Sequence, residues 1–280
     1  MVLAASACES ARLLLNSKSA RHPNGLANSS GQVGKNLTDT TGANLSGQIP
    51  ALESLPPYNE DGTGGMHIYM PWWADNKKLD FPRGYHIEPY GGRSMPGAWF
   101  MGGIHELNGG GYGKGLKADY RRFYGSTVGF SGRGEMVPSK DCYCEVDPEV
   151  VDKWGIPVLR FHWKRSDYEI NQAKHMQDTF REIIETMGGK VAGPRPGADR
   201  RYGLAAGGEI IHEAGTTRMG DSPATSVLNK HCQAHDCKNV FVADSGPFVS
   251  NAHKNMTWTI LALSMRTSEY IADQVKKGEL

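Results

Sequence analysis

Residues 240–257 read V-F-V-A-D-S-G-P-F-V-S-N-A-H-K-N-M-T and lead directly into the last amphipathic segment of the chain. The apolar run 240–243 predicts a buried strand, which ends at Asp244 and Ser245. After several turn residues, the pattern predicts that a helix starts at residues 255–257. A helix start carries free N–H groups and the positive end of the helix dipole, and both favour a nearby anion or electron-rich group.

The opposite end of the chain also pairs a strand with a helix. Residues 2–5 are small and apolar and predict a short buried strand, and Ala7–Asn16 has the apolar spacing of a helix. A strand followed by a turn and a helix is typical of one unit of a nucleotide-binding sheet. Because one unit cannot form a sheet, its partner strands are expected outside this sequence.

The middle of the chain predicts an α+β fold. Residues 22–65 lack periodicity and indicate a loop-rich crossing, and the glycine-rich residues 102–115 indicate a loop. Strands are predicted from alternating or β-branched residues at 66–73, 85–90, 127–137 and 158–163. Helices are predicted from three- and four-residue apolar spacing at 167–187, where Gly188 suits the C-terminal cap, and at 257–275, where Leu261 is assigned to the apolar side. The expected architecture is an antiparallel-sheet domain with two long helices, plus fragments of a Rossmann-like domain at both chain ends.

The composition is that of a globular protein rich in turns. Hydrophobic residues make up 39% and charged residues 22%, with 35 glycines and 15 prolines among 280 residues. A formal charge of +1 gives no overall field that favours nucleic acid or an anionic membrane. No apolar run reaches a membrane span, and the first eight residues lack the basic start of an export signal. Five cysteines are an odd number, so a complete disulfide framework is not implied.

A second segment, residues 212–220, reads H-E-A-G-T-T-R-M-G. His212 is a candidate proton acceptor for an alcohol because imidazole titrates near neutral pH. Taken alone, a histidine before a glycine turn is more commonly a hydrogen-bonded structural residue. Asn255, taken alone, is more commonly a helix N-cap.

Both segments resemble the glucose–methanol–choline oxidoreductases, a family of flavin enzymes. Residues 212–220 are similar to that family's H-x-x-G-T-x-x-M-G motif, and further matches occur in the family's order. These matches are V-L-A-A-S-A-C-E-S-A-R-L-L-L-N-S at 2–17, G-L-A-N-S-S-G-Q-V-G-K-N-L at 25–37, V-D-K-W-G-I-P-V-L-R at 151–160, N-x-F-V-A-D at 239–244, N-M-T at 255–257 and L-A-L-x-x-R at 261–266.

The resemblance implies a catalytic pair and a flavin cofactor. His212 matches the catalytic histidine, and Asn255 matches the second member of the family's His/Asn or His/His pair. The implied reaction moves a hydroxyl proton to His212 and a hydride from carbon to N5 of FAD. The positions that match cofactor-approaching segments are Ala4, Ala5, Asp244, Ser245, Met256 and Thr257. Met256 stands where the family usually has proline, which restores a backbone N–H at the helix start.

The resemblance also implies that an FAD-binding portion is missing. The fingerprint G-x-G-x-x-G occurs nowhere in the sequence, so the portion that holds the pyrophosphate is expected upstream or in a separate subunit. We therefore expect this chain alone to bind FAD weakly or not at all. The expected divisions are 1–50 for the residual FAD-binding domain and crossing, 51–205 for the substrate domain, and 206–280 for the catalytic segment. The substrate is expected to be a sugar, glycoside or other alcohol, and the electron acceptor is open.

Two other classes of function stay open at the level of sequence. A metal site is conceivable because four possible ligands lie within seven residues, although their spacing matches no usual zinc motif; they are His231, Cys232, His235 and Cys237. A non-catalytic carbohydrate-binding or inactive truncated chain is the other alternative. Its candidate stacking aromatics are Trp72, Trp73, Tyr85, Tyr90 and Trp99.

Overall fold

The computed structural model describes residues 1–53, 55, 69–71, 79–91 and 112–280. These residues form two compact units. We call residues 1–40, 135–165 and 206–280 the terminal unit, and residues 41–134 and 166–205 the sheet unit. The predicted divisions at 50/51 and 205/206 stay a prediction. Most of the predicted strand 66–73 and of the predicted loop 102–115 lies outside the described residues.

The regular elements are numbered in chain order. The described strands are β1 Val2–Leu3, β2 Thr41–Gln48, β3 Met70–Pro71, β4 Tyr85–Gly91, β5 Thr127–Gly134, β6 Tyr143–Val151, β7 Pro157–His162, β8 Lys190–Val191 and β9 Phe241–Val242. The described helices are α1 Ala7–Asn16, α2 Lys114–Phe123, α3 Asp167–Thr186 and α4 Thr257–Lys276.

The sheet unit contains five antiparallel strands in the order β3-β4-β5-β2-β8. Helix α3 packs on one face of this sheet and buries Met176, Phe180 and Ile184 completely, as its apolar spacing predicts. Gly47 in β2 permits this close packing, because a Cβ there would lie 2.6 Å from Cγ2 of Ile184. A capping box formed by Ser166 and Glu169 starts the helix.

The terminal unit joins the two ends of the chain. β1 pairs in parallel with β9, so residues 2–3 and 241–242 are neighbours. Helices α1 and α4 belong to the same unit, and Leu14 of α1 and Leu263 of α4 contact a core cluster that contains Val242. β6 and β7 form a separate antiparallel pair. The α+β architecture, the antiparallel sheet, the two 20-residue helices and the strand fragments at both ends are therefore confirmed.

Several local expectations were wrong. The crossing predicted at 22–65 contains the eight-residue strand β2, and α2 and β6 were not predicted. β1 is shorter than predicted and is exposed, with Val2 52% accessible, whereas β9 is buried as expected. Leu261, assigned from the sequence to the apolar side of α4, is 60% exposed. None of the helices in the described ranges is long and apolar enough to cross a membrane.

Candidate active site

The two motif segments lie side by side in the terminal unit. Backbone N–H groups of one segment donate to three consecutive carbonyls of the other: Gly215 to Ser245 (3.2 Å), Thr217 to Gly246 (3.0 Å) and Met219 to Pro247 (2.9 Å). Gly215 has a φ of +89°, and a Cβ there would lie 2.4 Å from the carbonyl oxygen of Asn36. Glycine is therefore needed at this point of the motif.

His212 is half-buried and is held through three contacts. Its Nδ1 lies 3.1 Å from Oγ1 of Thr40. Its backbone N–H donates to Oδ1 of Asp39 (3.0 Å), and its carbonyl accepts a hydrogen bond from the side-chain amide of Asn251 (2.8 Å). Both the backbone and one edge of the imidazole are thus restrained.

Asn255 is exposed and lies immediately before the helix α4. The next residue, Met256, is buried in a small apolar cluster with Ala214 and Phe248. Ala214 follows His212 by two positions, so the segments that carry the two predicted catalytic residues pack on the same cluster. Convergence of the His212 and Asn255 side chains on one substrate stays a prediction.

Among the described residues, the N-terminus of α4 has no capping side chain. Its first residues, Thr257 and Trp258, are exposed. The first turn of a helix has backbone N–H groups without partners inside the helix, and the positive end of the dipole lies there. This end of α4 can therefore receive an electron-rich ring edge or an anion, as the sequence predicts for Met256 and Thr257.

The four other positions predicted to approach a cofactor follow β1 and β9. Because these strands are parallel, their carboxyl ends meet at one edge, where open α/β sheets commonly bind their ligands. Ala4 and Ala5 are exposed at this edge. Asp244 and Ser245 are buried. Their roles toward a cofactor stay a prediction.

The side chains of Asp244 and Ser245 are used within the fold. The Asp244 carboxylate accepts the hydroxyl hydrogen of Ser10 and the backbone N–H of Gly246 (2.7 Å). The Ser245 hydroxyl donates to the carbonyl of Glu213 (2.7 Å). Burial raises the pKa of Asp244 above its usual value. These two side chains thus hold the loop that follows β9 within the fold.

Sequence analysis missed Asp39, Thr40 and Asn251, which surround His212. The matched stretch 25–37 ends two residues before Asp39, and nothing in the local pattern marks the following polar residues as buried. Asp39 and Thr40 are 0% exposed, and Asn251 is 1% exposed. Burial of three polar side chains around one histidine depends on tertiary packing, so the sequence held no direct signal for it.

The alternative sites gain no support from the described residues. Within them, no three His, Cys, Asp or Glu side chains are grouped to bind a metal. His231 stacks on Tyr270 with ring centres 3.9 Å apart, and His235 bonds to Ser226. Of the proposed stacking aromatics, Tyr85 is fully buried in the core and Tyr90 is half exposed. The three tryptophans proposed for stacking, at 72, 73 and 99, lie outside the described ranges.

Together, the fold and the site define an α+β protein in which a short parallel strand pair and a restrained histidine belong to the same unit. Residues 138–264 match the family model described as GMC oxidoreductase, and curated relatives support assignment to the carboxy-terminal portion of that family.

Two curated relatives match nearly the whole chain. The 2-methyl-1,2-propanediol dehydrogenase of Mycolicibacterium austroafricanum is 29% identical, over 97% of this chain and 47% of its own length. The fructose dehydrogenase large subunit of Gluconobacter japonicus is 27% identical, over 99% of this chain and 48% of its own length. A solved formate oxidase from Aspergillus oryzae RIB40 superposes with a TM-score of 0.65 at 14% identity, over 99% of this chain and 54% of that one. The chain therefore spans about half the length of the curated relatives it matches.

Proposed function

We propose that this chain is the carboxy-terminal part of an FAD-dependent oxidoreductase that oxidises a CH–OH group of a sugar, glycoside or other alcohol. One observation carries the proposal. The predicted base, His212, is restrained through Nδ1 in a segment that packs on the same cluster as the segment carrying Asn255. A half-buried, oriented imidazole suits proton removal from a hydroxyl group, and an exposed amide in a segment packed on the same cluster suits a hydrogen bond to the substrate oxygen.

The roles of the chain's own residues follow from this arrangement. His212 takes the hydroxyl proton of the substrate through Nε2, the ring nitrogen that does not face Thr40. Asn255 donates a hydrogen bond to the substrate oxygen and holds the carbon in reach of the cofactor. The first backbone N–H groups of α4 would help to hold FAD, because the positive end of the helix dipole favours an electron-rich group there. When bound, FAD supplies the acceptor for the hydride that leaves the carbinol carbon.

An FAD-binding portion is the proposed partner of the terminal unit. The sequence lacks G-x-G-x-x-G, and the described part of the parallel sheet has two strands. In a parallel strand pair, alternate residues of each strand form backbone hydrogen bonds to the partner strand. The backbone N–H and C=O groups of Val2 therefore lie on the edge of β1 that faces away from β9. In addition, α4 exposes three large apolar residues at helical spacing: Trp258, Leu261 and Met265. We propose that further strands, from the same chain or from a separate subunit, cover these surfaces.

The substrate class rests on the family match and on the names of the relatives. Those names include a propanediol and fructose, so small polyhydroxy compounds are the first candidates. Simple alcohols are the second group to be tested. Oxygen, a quinone and a cytochrome are all candidate electron acceptors, and access to the reduced cofactor decides among them.

The test uses the chain completed with an FAD-binding portion encoded beside it. Reduction of the bound FAD is followed by its visible absorbance after mixing with a panel of sugars, glycosides and alcohols. His212→Ala should slow reduction by about 10²-fold or more, which is the usual contribution of a general base. His235→Ala is the control, because His235 is also half-buried in the terminal unit but bonds to Ser226. A His212→Ala variant that reduces FAD as fast as the parent would rule out the proposed role.

A further inference from the structure

Two adjacent buried residues determine how His212 is held. Oδ1 of Asp39 accepts the backbone N–H of Thr40 (2.7 Å) and the backbone N–H of His212 (3.0 Å). Thr38 and Ala214 exchange two backbone hydrogen bonds, so residues 38–40 run beside residues 212–214. One carboxylate oxygen therefore fixes the backbone of both residues whose side chains meet at Nδ1.

The contact between Thr40 and the ring allows two proton arrangements. The hydroxyl oxygen of Thr40 lies 3.1 Å from Nδ1 of His212 and is able to donate or accept. If Thr40 donates, the neutral ring carries its hydrogen on Nε2 and cannot take a proton there. If Nδ1 donates to Thr40, the lone pair lies on Nε2, where a substrate proton can be accepted.

The charge of Asp39 favours the second arrangement. Asp39 is 0% exposed, and its Oδ2 has no hydrogen-bond partner among the described residues. Oδ1 of Asp39 accepts the backbone N–H groups of both Thr40 and His212, so the Asp39 oxygens lie near the residues that meet at Nδ1. Acceptor oxygens near this edge favour an N–H group there over a nitrogen lone pair.

We propose that Thr40 is a positioning residue whose hydroxyl oxygen accepts the Nδ1 hydrogen of His212 and so places the lone pair of the neutral ring on Nε2. The proposal deepens the proposed function and rests on it for the direction of proton transfer. During the reaction the substrate O–H bond breaks and an N–H bond forms at Nε2. The imidazolium keeps its Nδ1 hydrogen bond to Thr40, so no second proton has to move.

The tautomer can be measured without FAD. The full 280-residue chain is labelled with ¹⁵N-histidine, and the ring signals of His212 are assigned by their loss in His212→Gln. We expect the Nδ1–H form in the parent and in Thr40→Ser, which keeps the hydroxyl, and a substantial Nε2–H population in Thr40→Val. Thr38→Val is the matched control, because the Thr38 hydroxyl is equally buried but donates to the carbonyl of Ala214.

Two results would overturn the assignment of Thr40. They are an Nε2–H ring in the parent chain, and an Nδ1–H ring that Thr40→Val leaves unchanged. If Thr40→Val does not fold, the parent and Thr40→Ser still show whether the ring carries its hydrogen on Nδ1 or on Nε2.

Kinetics separate this inference from the proposed function. In the completed enzyme, Thr40→Val should lower kcat by about 10- to 10²-fold with little change in KM, and Thr40→Ser should restore it. If the ring has the expected Nδ1–H tautomer but His212→Ala loses no rate, the proposed function is rejected and the role of Thr40 in setting the tautomer is kept. An Nε2–H ring combined with a large rate loss in His212→Ala would reject the role of Thr40 alone.

Discussion

Ser10 donates its hydroxyl hydrogen to the carboxylate of Asp244, a residue 234 positions later in the chain. Both side chains are buried, with Ser10 0% and Asp244 7% exposed. The bond ties the first turns of α1 to the loop that follows β9, close to the open edge of the parallel strand pair. This buried hydrogen bond therefore adds to the β1–β9 pairing that joins the two chain ends.

Loss of this bond should destabilise the terminal unit. Ser10→Ala removes the hydroxyl that donates to the buried Asp244 carboxylate, which costs roughly 1–3 kcal/mol. Urea unfolding followed by circular dichroism measures the difference. Ser17→Ala is the control, since that serine is also in contact with α1 but is exposed and donates to the carbonyl of Leu13. Equal losses in the two variants would contradict a special role for the buried bond.

The buried carboxyl also predicts a pH dependence. Burial raises the folded-state pKa of Asp244 above its usual 3.8, so the folded protein holds this proton more tightly than the unfolded chain. The resulting stabilisation is complete below the usual pKa and is lost as the pH rises through the folded-state pKa. Asp244→Asn lacks this effect. Its free energy of unfolding should therefore improve relative to the parent as the pH rises from about 4 to about 7.

Asp141 provides a control of opposite sign. Its hydrogen bond and ion pair with Lys164 lower its pKa, so its contribution is present above the usual pKa and is lost as the pH falls through the lowered value. Asp141→Asn should lose stability relative to the parent as the pH rises from the lowered pKa to the usual 3.8, which lies below the interval in which Asp244 acts. Because this pair is exposed, the change should be small. Relative stabilities that shift in the same direction in both variants would contradict the assignment for Asp244.

Elements whose signals are local could be predicted from the sequence. Helix α3 combines apolar residues at three- and four-residue steps with Gly188, which follows the helix with a φ of +71°. Its apolar face, its bounds to within one residue and the position of its terminal glycine were all predicted. Three backbone hydrogen bonds join the two motif segments, and convergence of His212 and Asn255 on one substrate stays a prediction from family resemblance.

Elements that depend on distant packing could not be predicted in this way. β2 reads T-G-A-N-L-S-G-Q and contains two glycines, which disfavour a strand by intrinsic propensity. The strand forms because Gly47 makes room for Ile184 of α3, and that contact is invisible in the local pattern. Helix α2 has Leu116, Tyr120 and Phe123 at helical spacing, but it is short and buries only Phe123, and it was not predicted. Asp39 and Thr40 belong to this group, since their burial depends on residues 212–214.

The chain alone should not retain FAD. The described part of the parallel sheet has two strands, and the sequence lacks the glycine fingerprint for the pyrophosphate. We expect the purified 280-residue chain to elute colourless from gel filtration after incubation with excess FAD. Co-production with the encoded FAD-binding portion should restore a yellow complex. Stoichiometric flavin on the chain alone would contradict the proposed need for that portion.

Met256 shows how burial competes with backbone rigidity at the start of α4. The family resemblance predicts proline here, and the φ of −87° lies near the range that proline adopts. Met256 is 8% exposed and packs with Ala214 and Phe248, so Met256→Pro would lose much of a buried side chain worth about 1.5–3 kcal/mol. Proline restricts the unfolded chain, and this stabilises the folded protein by only about 0.4–1 kcal/mol. We therefore expect Met256→Pro to unfold at a lower urea concentration than the parent. Met256→Leu conserves the side-chain volume, so its free energy of unfolding should stay within about 1.5 kcal/mol of the parent value. Greater stability in Met256→Pro would mean that the rigid helix start outweighs the buried contact, and that the methionine is kept for a reason other than packing.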